Sequence, residues 1–270
     1  MTAIERDPIN GECGHMTEVP DKKIDPIRTT TPEAIRLAKT LIRHARFGAL
    51  AFKDPASGNP GISRVAVAAD FTGAPVILVS RLSAHTKALL ENATCSILLG
   101  EPGKGDPLAH PRISVSAAAE FLDRGNPATE RASARFLHRN PKAKLYAGFA
   151  DFSFVRLAPL SASLNGGFGQ AYKLKQSELL SADIEWQSHT VDEAGFLARL
   201  NTTPNSKIIE LFVAQTGKSP AKLMVESVDS EGLDIVSAGA FHRIWFESPV
   251  STQDELFDLL LKSPEKPEKV

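Results

Sequence analysis

Apolar positions along this chain recur in two different rhythms. Ile35, Ala38, Leu41, Ile42 and Ala45 fall at helical spacing and mark one face of a helix. Thr31-Pro32-Glu33 signals its start, with a hydroxyl to cap free N–H groups and proline at the first helical position. Gly48 is expected to end it. The rhythm then shortens. Gly48 to Lys53, Ile62 to Ala69 and Pro75 to Ser80 are apolar runs separated by turn formers at Asp54 to Gly61 and Asp70 to Ala74, and they predict strands. Ser83 to Asn92 reads as a short helix with Ser83 as its cap, and Thr94 to Leu99 returns to strand. A polar loop, Gly100 to His110, leads to a strand over Pro111 to Leu122. Asn126-Pro127 opens another helix, which carries Ala132, Phe136 and Leu137 and is interrupted at Asn140-Pro141. Ala143 to Gly148 predicts a further helical turn, and Asp151 to Leu164 one long strand or two broken at Pro159. Short strands joined by turns predict an antiparallel sheet or barrel.

The character changes near residues 181 to 191. A helix-rich stretch, Val191 to Gln215, is interrupted at Thr203-Pro204-Asn205. Strands are expected over Ala221 to Val228, Leu233 to Ala238 and Phe241 to Phe246, followed by an amphipathic helix capped by Ser251. This order suggests a small second α/β domain. The expected division is a mobile arm over 1–27, a first domain over 28–182, a second over 188–263 and a frayed tail over 264–270.

Composition narrows the function classes. The chain has 270 residues, 42% of them hydrophobic, enough for a proper core and incompatible with global disorder. A net charge of -1 gives no reason to expect nucleic acid or anionic lipid as a partner. No apolar run reaches the roughly 18 residues of a membrane span. The polar start, Met1 to Pro8, lacks a signal-peptide core, so a cytoplasmic location is expected. Cys13 and Cys95 are the only cysteines, too few for a disulfide framework or a cysteine-rich zinc site.

The polar chemistry gathers in a few places. In Ser80-Arg81-Leu82-Ser83-Ala84-His85-Thr86-Lys87 a strand ends and a helix begins. Free N–H groups and the positive helix end attract an anion there, and Arg81, Ser83, Thr86 and Lys87 suit a phosphate or carboxylate. The alternative is an ordinary capped surface helix. Arg64 interrupts an apolar strand and must point to water, a partner or a ligand. Asn165-Gly166-Gly167-Phe168-Gly169-Gln170 places an aromatic among three glycines, either a packed floor beneath a flat ligand or a strand bulge with Phe168 in the core. His242 lies among aromatic residues beside Arg243; a neutral imidazole there suits haem iron and the arginine a propionate, or the histidine is simply hydrogen-bonded. Neither HExxH, a P-loop, a nucleophile elbow nor a strand-bound GxGxxG occurs, which removes hydrolase, kinase and Rossmann readings.

Four motifs in order resemble one family. They are Ser80 to Lys87; Asp106-Pro107-Leu108 with Pro111-Arg112-Ile113-Ser114-Val115; Arg135 to Tyr146 running into Asp151-Phe152-Ser153-Phe154; and Gly166 to Ala171. The chain is similar over roughly residues 30 to 180 to the flavin-binding-like split-barrel family that includes pyridoxamine 5'-phosphate oxidase relatives, and within it to the HugZ-type haem-utilisation branch. The resemblance implies an α+β protein: a six-stranded Greek-key split barrel with flanking helices, a small C-terminal α/β domain, and a homodimer with ligand sites at the subunit interface. By the same resemblance Arg64, Ser83, Thr86 and Lys87, with His85 among them, would hold an FMN phosphate. In the haem branch an axial histidine comes from the C-terminal region, here His242, with Arg243 near a propionate and Gly167, Phe168 and Gly169 beside the macrocycle. The chain departs from that pattern in having no histidine beyond Ser263 and no basic residue in Ser161 to Asn165. Three functions follow: oxygen-dependent haem degradation with an unidentified electron donor, an FMN-dependent oxidoreductase, or a non-catalytic tetrapyrrole-binding or regulatory module.

Overall fold

The protein is described by a computed structural model over residues 27–167, 169–181, 193–202 and 205–261, leaving aside the Gln253 side chain. Residues 1–26 of the expected arm, the tail beyond Leu261 and Phe168 lie outside the described residues. Strand β1 (Ile27–Arg28) precedes helix α1 (Pro32–His44). Thr31 caps α1 through its side chain, which accepts from the Ala34 N–H. Then come β2 (Phe47–Lys53), β3 (Pro60–Ala69), β4 (Pro75–Ser80), α2 (Ala84–Glu91), β5 (Thr94–Leu99) and β6 (Arg112–Phe121). Helix α3 (Pro127–Arg139) is capped by Asn126, and β7 (Phe152–Asn165), β8 (Ala171–Lys175) and α4 (Gln176–Leu179) follow.

Six of these strands close an antiparallel barrel in the order β7-β4-β3-β2-β5-β6, sealed by the β6–β7 pairing. β5 returns beside β2, next to the β2-β3-β4 meander, which is a Greek key. β8 extends the sheet from β7, and β1 adds to β8 in parallel. Alternation sends Leu50, Val67, Ile77, Ile97, Ile113, Val115 and Leu157 into a fully buried interior.

One expectation is corrected here, and one open alternative, a single strand or two over Asp151 to Leu164, is decided for the single strand. Gly48 does not end α1, which stops at His44; it sits inside β2. A Cβ there would lie 2.7 Å from Leu99 and 2.9 Å from Ile97, so the glycine makes room for the barrel core. Pro159 does not divide β7 either. The β6 partner of Ser161 is Ser116, and that of Pro159 is Ala117, so Leu160 bulges out and the strand runs on.

The C-terminal domain orders α5 (Glu193–Thr202), α6 (Ser206–Thr216), β9 (Leu223–Asp229), β10 (Gly232–Ser237), β11 (Ala240–Trp245) and α7 (Gln253–Leu261). Its sheet is antiparallel in the order β11-β10-β9. Phe196, Phe212, Val225, Ile235, Ile244 and Leu256 join in a core separate from that of the barrel. Both outer strands are met by an amide side chain. Asn201 of α5 accepts from the Val225 N–H at 2.9 Å and donates to its carbonyl at 3.0 Å. Gln215 of α6 does the same for Trp245, at 2.9 and 2.6 Å.

The sheet's opposite face meets α1 and α3 through buried charge. Asp229 lies 2.6 Å from Arg43 of α1 and 2.6 Å from Arg243 of β11, and all three side chains are 1% exposed. Lys39 of α1 reaches Glu231 at 2.6 Å, and Arg135 of α3 reaches Glu193 at 2.9 Å and the Val228 carbonyl at 3.1 Å. Arg139 stacks on Phe241, 3.6 Å from the ring centre.

Candidate functional site

The anion-binding corner expected from Ser80 to Lys87 forms where β4 hands over to α2. Ser83 is the N-cap residue in an extended conformation, and its side chain makes no capping bond, so the hydroxyl is available. Lys87 is exposed on the first turn. It lines a groove of about 400 Å³ with Asp54, Ala56, Leu82 and Glu91. His85 is half-buried against the edge of Phe52, with ring centres 6.3 Å apart, and burial pushes its imidazole toward the neutral form. Thr86 behaves otherwise. It is fully buried, and its hydroxyl donates to the Ser80 carbonyl at 2.6 Å, tying α2 to the end of β4. It offers nothing outward to a phosphate.

The corner is held from behind by the loop that ends the third motif. The Ser80 hydroxyl donates to Asp151 at 2.8 Å, and the Arg81 N–H donates to the Asp151 carbonyl at 2.8 Å. Arg64 points outward from β3 and lies over Phe47, 5.6 Å from the ring centre. It makes no ion pair among the described residues. Phe47, Ile62 and Leu98 share that outer face and are 43%, 73% and 43% exposed.

The glycine motif is a hairpin turn between β7 and β8. The Gly166 N–H donates to the Gln170 carbonyl at 2.7 Å, and the Gln170 N–H donates to the Gly167 carbonyl at 3.2 Å. Gly167 and Gly169 have φ of 118° and 69°, which explains the glycines through backbone conformation. The floor expected from Phe168 lies outside the described residues.

His242 and Arg243 do not form a joint site. Adjacent residues of a strand face opposite sides of the sheet. His242 faces the helical side, edge-on to Phe212 with ring centres 5.1 Å apart. Burial and the neighbouring Lys218 favour its neutral form. Arg243 faces the barrel, where Asp229 and Asp234 hold its guanidinium. Despite burial, those carboxylates keep it firmly charged. Burial opposes ionisation of Asp229 in turn, yet Arg243 and Arg43 hold its carboxyl well below the usual range. Arg243 is therefore a structural cation, and its remaining unbonded donor, Nε, is buried out of reach of a propionate.

This joint is the part that the sequence reading missed. A signal was present: Lys39 and Arg43 lie four and eight residues after Ile35, on the flank of the apolar face of α1. Charges there ask for buried partners. Those partners lie some 190 positions away, so spacing alone does not name them. His138 also belongs here: it pairs with Glu226 at 3.2 Å, and that bond favours its protonated form. Cys95 is buried in β5, and burial pushes its thiol up to about 11. Among the described residues no group of three or more His, Cys, Asp or Glu is arranged to hold a metal ion, and no helix is long and apolar enough to cross a membrane.

The closed barrel with its basic corner defines a split-barrel protein with a C-terminal α/β domain. No protein-family model matches the chain. The chloroplastic non-canonical heme oxygenase HOZ of Arabidopsis thaliana is 32% identical over 157 residues, 58% of this chain and 46% of that protein. The chain thus spans about half the length of the curated relative it matches. Among solved structures, protein Atu2129 of Agrobacterium tumefaciens str. C58, of unknown function, is 26% identical with a TM-score of 0.69, covering 87% of this chain and 98% of that one. A heme binding protein from Mycobacterium smegmatis is 26% identical with a TM-score of 0.52, covering 84% and 94%. The chain is similar to the HugZ-type haem-utilisation branch of the pyridoxamine 5'-phosphate oxidase-like split-barrel family.

Proposed function

We propose that this protein binds haem as a homodimer and serves haem utilisation, with oxygen-dependent degradation of the porphyrin and iron release as its activity. The observation that carries the proposal is the likeness to a non-canonical heme oxygenase over 157 residues, 58% of this chain. The residues present suit the group. A porphyrin brings four ligands to its iron, so one neutral imidazole from the protein suffices. His242 offers that chemistry on the C-terminal domain, and His85 offers it on the barrel. Arg243 is withdrawn from the scheme, and the propionate charge falls to Arg64, Lys87 and the uncommitted Ser83 hydroxyl. Haem, when bound, would supply the oxygen-activating iron, while the protein orients it and excludes water. A second copy of the chain would cover the apolar residues Phe47, Ile62 and Leu98 beside Arg64.

A second reading, FMN binding by an oxidoreductase, draws on the same corner, because the free Ser83 hydroxyl and Lys87 at the start of α2 equally suit a phosphate. A third keeps tetrapyrrole binding without chemistry. Hemin titration followed by absorption separates them. The proposal expects a sharp Soret band at one haem per protomer, displaced by His242→Ala, and conversion to a bilin with ascorbate as external reductant. A displacement by His85→Ala alone moves the iron to the barrel. FMN released on denaturation of the isolated protein, with no response to hemin, supports the second reading. A Soret band that ascorbate and oxygen leave unchanged supports the third.

A further inference from the structure

Two rows of side chains run unbroken across the outside of the barrel sheet. The strand registers place Ile62, Ala51, Ser96, Ser116, Ser161 and Lys175 in one row. Arg64, Ala49, Leu98, Ser114, Ser163 and Lys173 form the next. Their chain neighbours Leu50, Ile97, Val115, Ala162 and Leu174 are buried, so both rows face outward. The rows have unlike halves. Toward β3 lie Ile62, Leu98 and Arg64, the patch that a second copy would cover. Across β6, β7 and β8 lie Ser114, Ser116, Ser161, Ser163, Lys173 and Lys175, all exposed.

The serine half is uniform in sign. A solvated surface ordinarily mixes charges of both signs, yet neither row contains a carboxylate. Lys173 and Lys175 make no ion pair among the described residues, and the four serine hydroxyls bond to no other protein group there. A third row, Arg112, Asn165 and Ala171, adds another cation and ends on Ile27 of β1.

The segment before Ile27 has the complementary character. Residues 1–26 hold Glu5, Asp7, Glu12, Glu18, Asp21 and Asp25 against Arg6, Lys22 and Lys23. The whole chain has a net charge of -1, so the remainder is net positive. Ile27 pairs with Ala171, at the margin of the serine field. From β8 to β6 is about 10 Å, and an extended chain covers about 3.3 Å per residue. Asp25 and Asp21 are thus tethered within reach of Lys173, Lys175 and Arg112.

We propose that residues 1–26 dock on the outer face of β6, β7 and β8 of their own chain, as an acidic strap across the serine field. The carboxylates meet Lys173, Lys175 and Arg112, and the serine hydroxyls donate to them in between. Each such surface pair is weak, but the tether makes the contact intramolecular, and several pairs act together. The strap and a second copy then divide the outside of the sheet between them. The surface uses none of Arg64, Ser83, His85, Lys87 or His242, so it stands whether or not the protein binds haem.

Cys13 supplies the probe. It lies in the segment, and the other cysteine, Cys95, is buried, so a nitroxide attaches to Cys13 alone in the full-length protein. At low salt, amide NMR should show the signals of Ser161, Ser163, Lys173 and Lys175 broadened more than those of Ile62 and Arg64. Lys173→Glu and, separately, Ser163→Asp put a negative charge at an exposed position, and each should lower the docked population about threefold. Thermal melts establish that both variants fold. Raising salt to about 0.5 M should release the strap from the unaltered protein, with no substitution needed. Broadening absent from β6, β7 and β8 would overturn the assignment. Broadening that salt and both variants leave unchanged is that of a bare tether and would overturn it equally. Isotope-labelled protein without nitroxide, mixed with spin-labelled protein, should show no broadening; its appearance would give the strap to a second copy and refute docking on the same chain.

Discussion

The inside of the barrel and the joint beneath it solve the same problem with opposite materials. In the barrel, strand alternation delivers Leu50, Ile77, Ile97, Ile113 and Leu157 to a cluster of buried apolar side chains. At the joint, Arg43, Asp229 and Arg243 are just as deeply buried, yet they hold by charge. Apolar packing is non-directional and tolerates adjustment. A buried ion network requires every partner in place, because a charge left alone costs several kcal/mol. The contrast teaches that the barrel is built for stability and the joint for one fixed docking of the second domain.

The largest expected effect comes from breaking the joint. Asp229→Ala strands two arginines and should cost about 3–5 kcal/mol. Unfolding in urea in a Trp186→Phe background, followed by Trp245 fluorescence and by far-ultraviolet dichroism, should separate into two transitions, the C-terminal domain melting first. A single transition at the original midpoint would show that the network adds nothing. Leu157→Ala tests the other material. It should cost about 2–5 kcal/mol while leaving the two signals coincident.

Next in size is a pH effect seated in the joint. Burial first, then Arg139 and Arg243, depress the His44 imidazole to about 4, against the pull of Asp234 3.9 Å away. The unfolded chain takes up that proton first, so the contribution is complete above pH 6.5 and is lost as pH falls from 6.5 toward 4. Roughly 2–3 kcal/mol should disappear across that window. His138, whose protonated form Glu226 favours, works in the opposite sense but is far more exposed. Urea midpoints measured through the window should fall more steeply for the unaltered protein than for His44→Gln. Equal slopes would remove His44 from the account.

The smallest effects distinguish the two hydroxyls of the corner. Thr86→Val removes a buried bond to the Ser80 carbonyl and should cost about 1 kcal/mol. Ser83→Ala should change stability by no more than about 0.5 kcal/mol, because the side chain makes no capping bond. Its effect should appear instead as weaker binding of an anionic ligand, whether hemin or FMN. A thermal loss for Ser83→Ala as large as that of Thr86→Val would contradict this division of roles.

What was legible in the sequence were features written locally. Thr31 and Asn126 announced helix starts, and the runs Pro75 to Ser80 and Thr94 to Leu99 coincide with β4 and β5. Gly48 misled because glycine after a helix commonly ends it, whereas here the constraint comes from Leu99 and Ile97 across the barrel. Arg243 misled for a related reason. Its aromatic neighbours suggested a ligand, but strand alternation turned it toward Asp229 and away from His242. The anion-binding corner was legible as a cluster, though not that Thr86 would face inward. The joint ties α1 and α3 to the C-terminal sheet, and no local pattern encodes such distant pairs.

Asn201 and Gln215 carry one more implication. Each amide imitates the neighbouring strand that Val225 or Trp245 would otherwise seek. At those two places the small sheet is sealed against zipping onto foreign backbone, the usual route to fibrous aggregates. At those two positions any contact must proceed through side chains, where shape and charge can be selective, and not through the indiscriminate grammar of main-chain pairing.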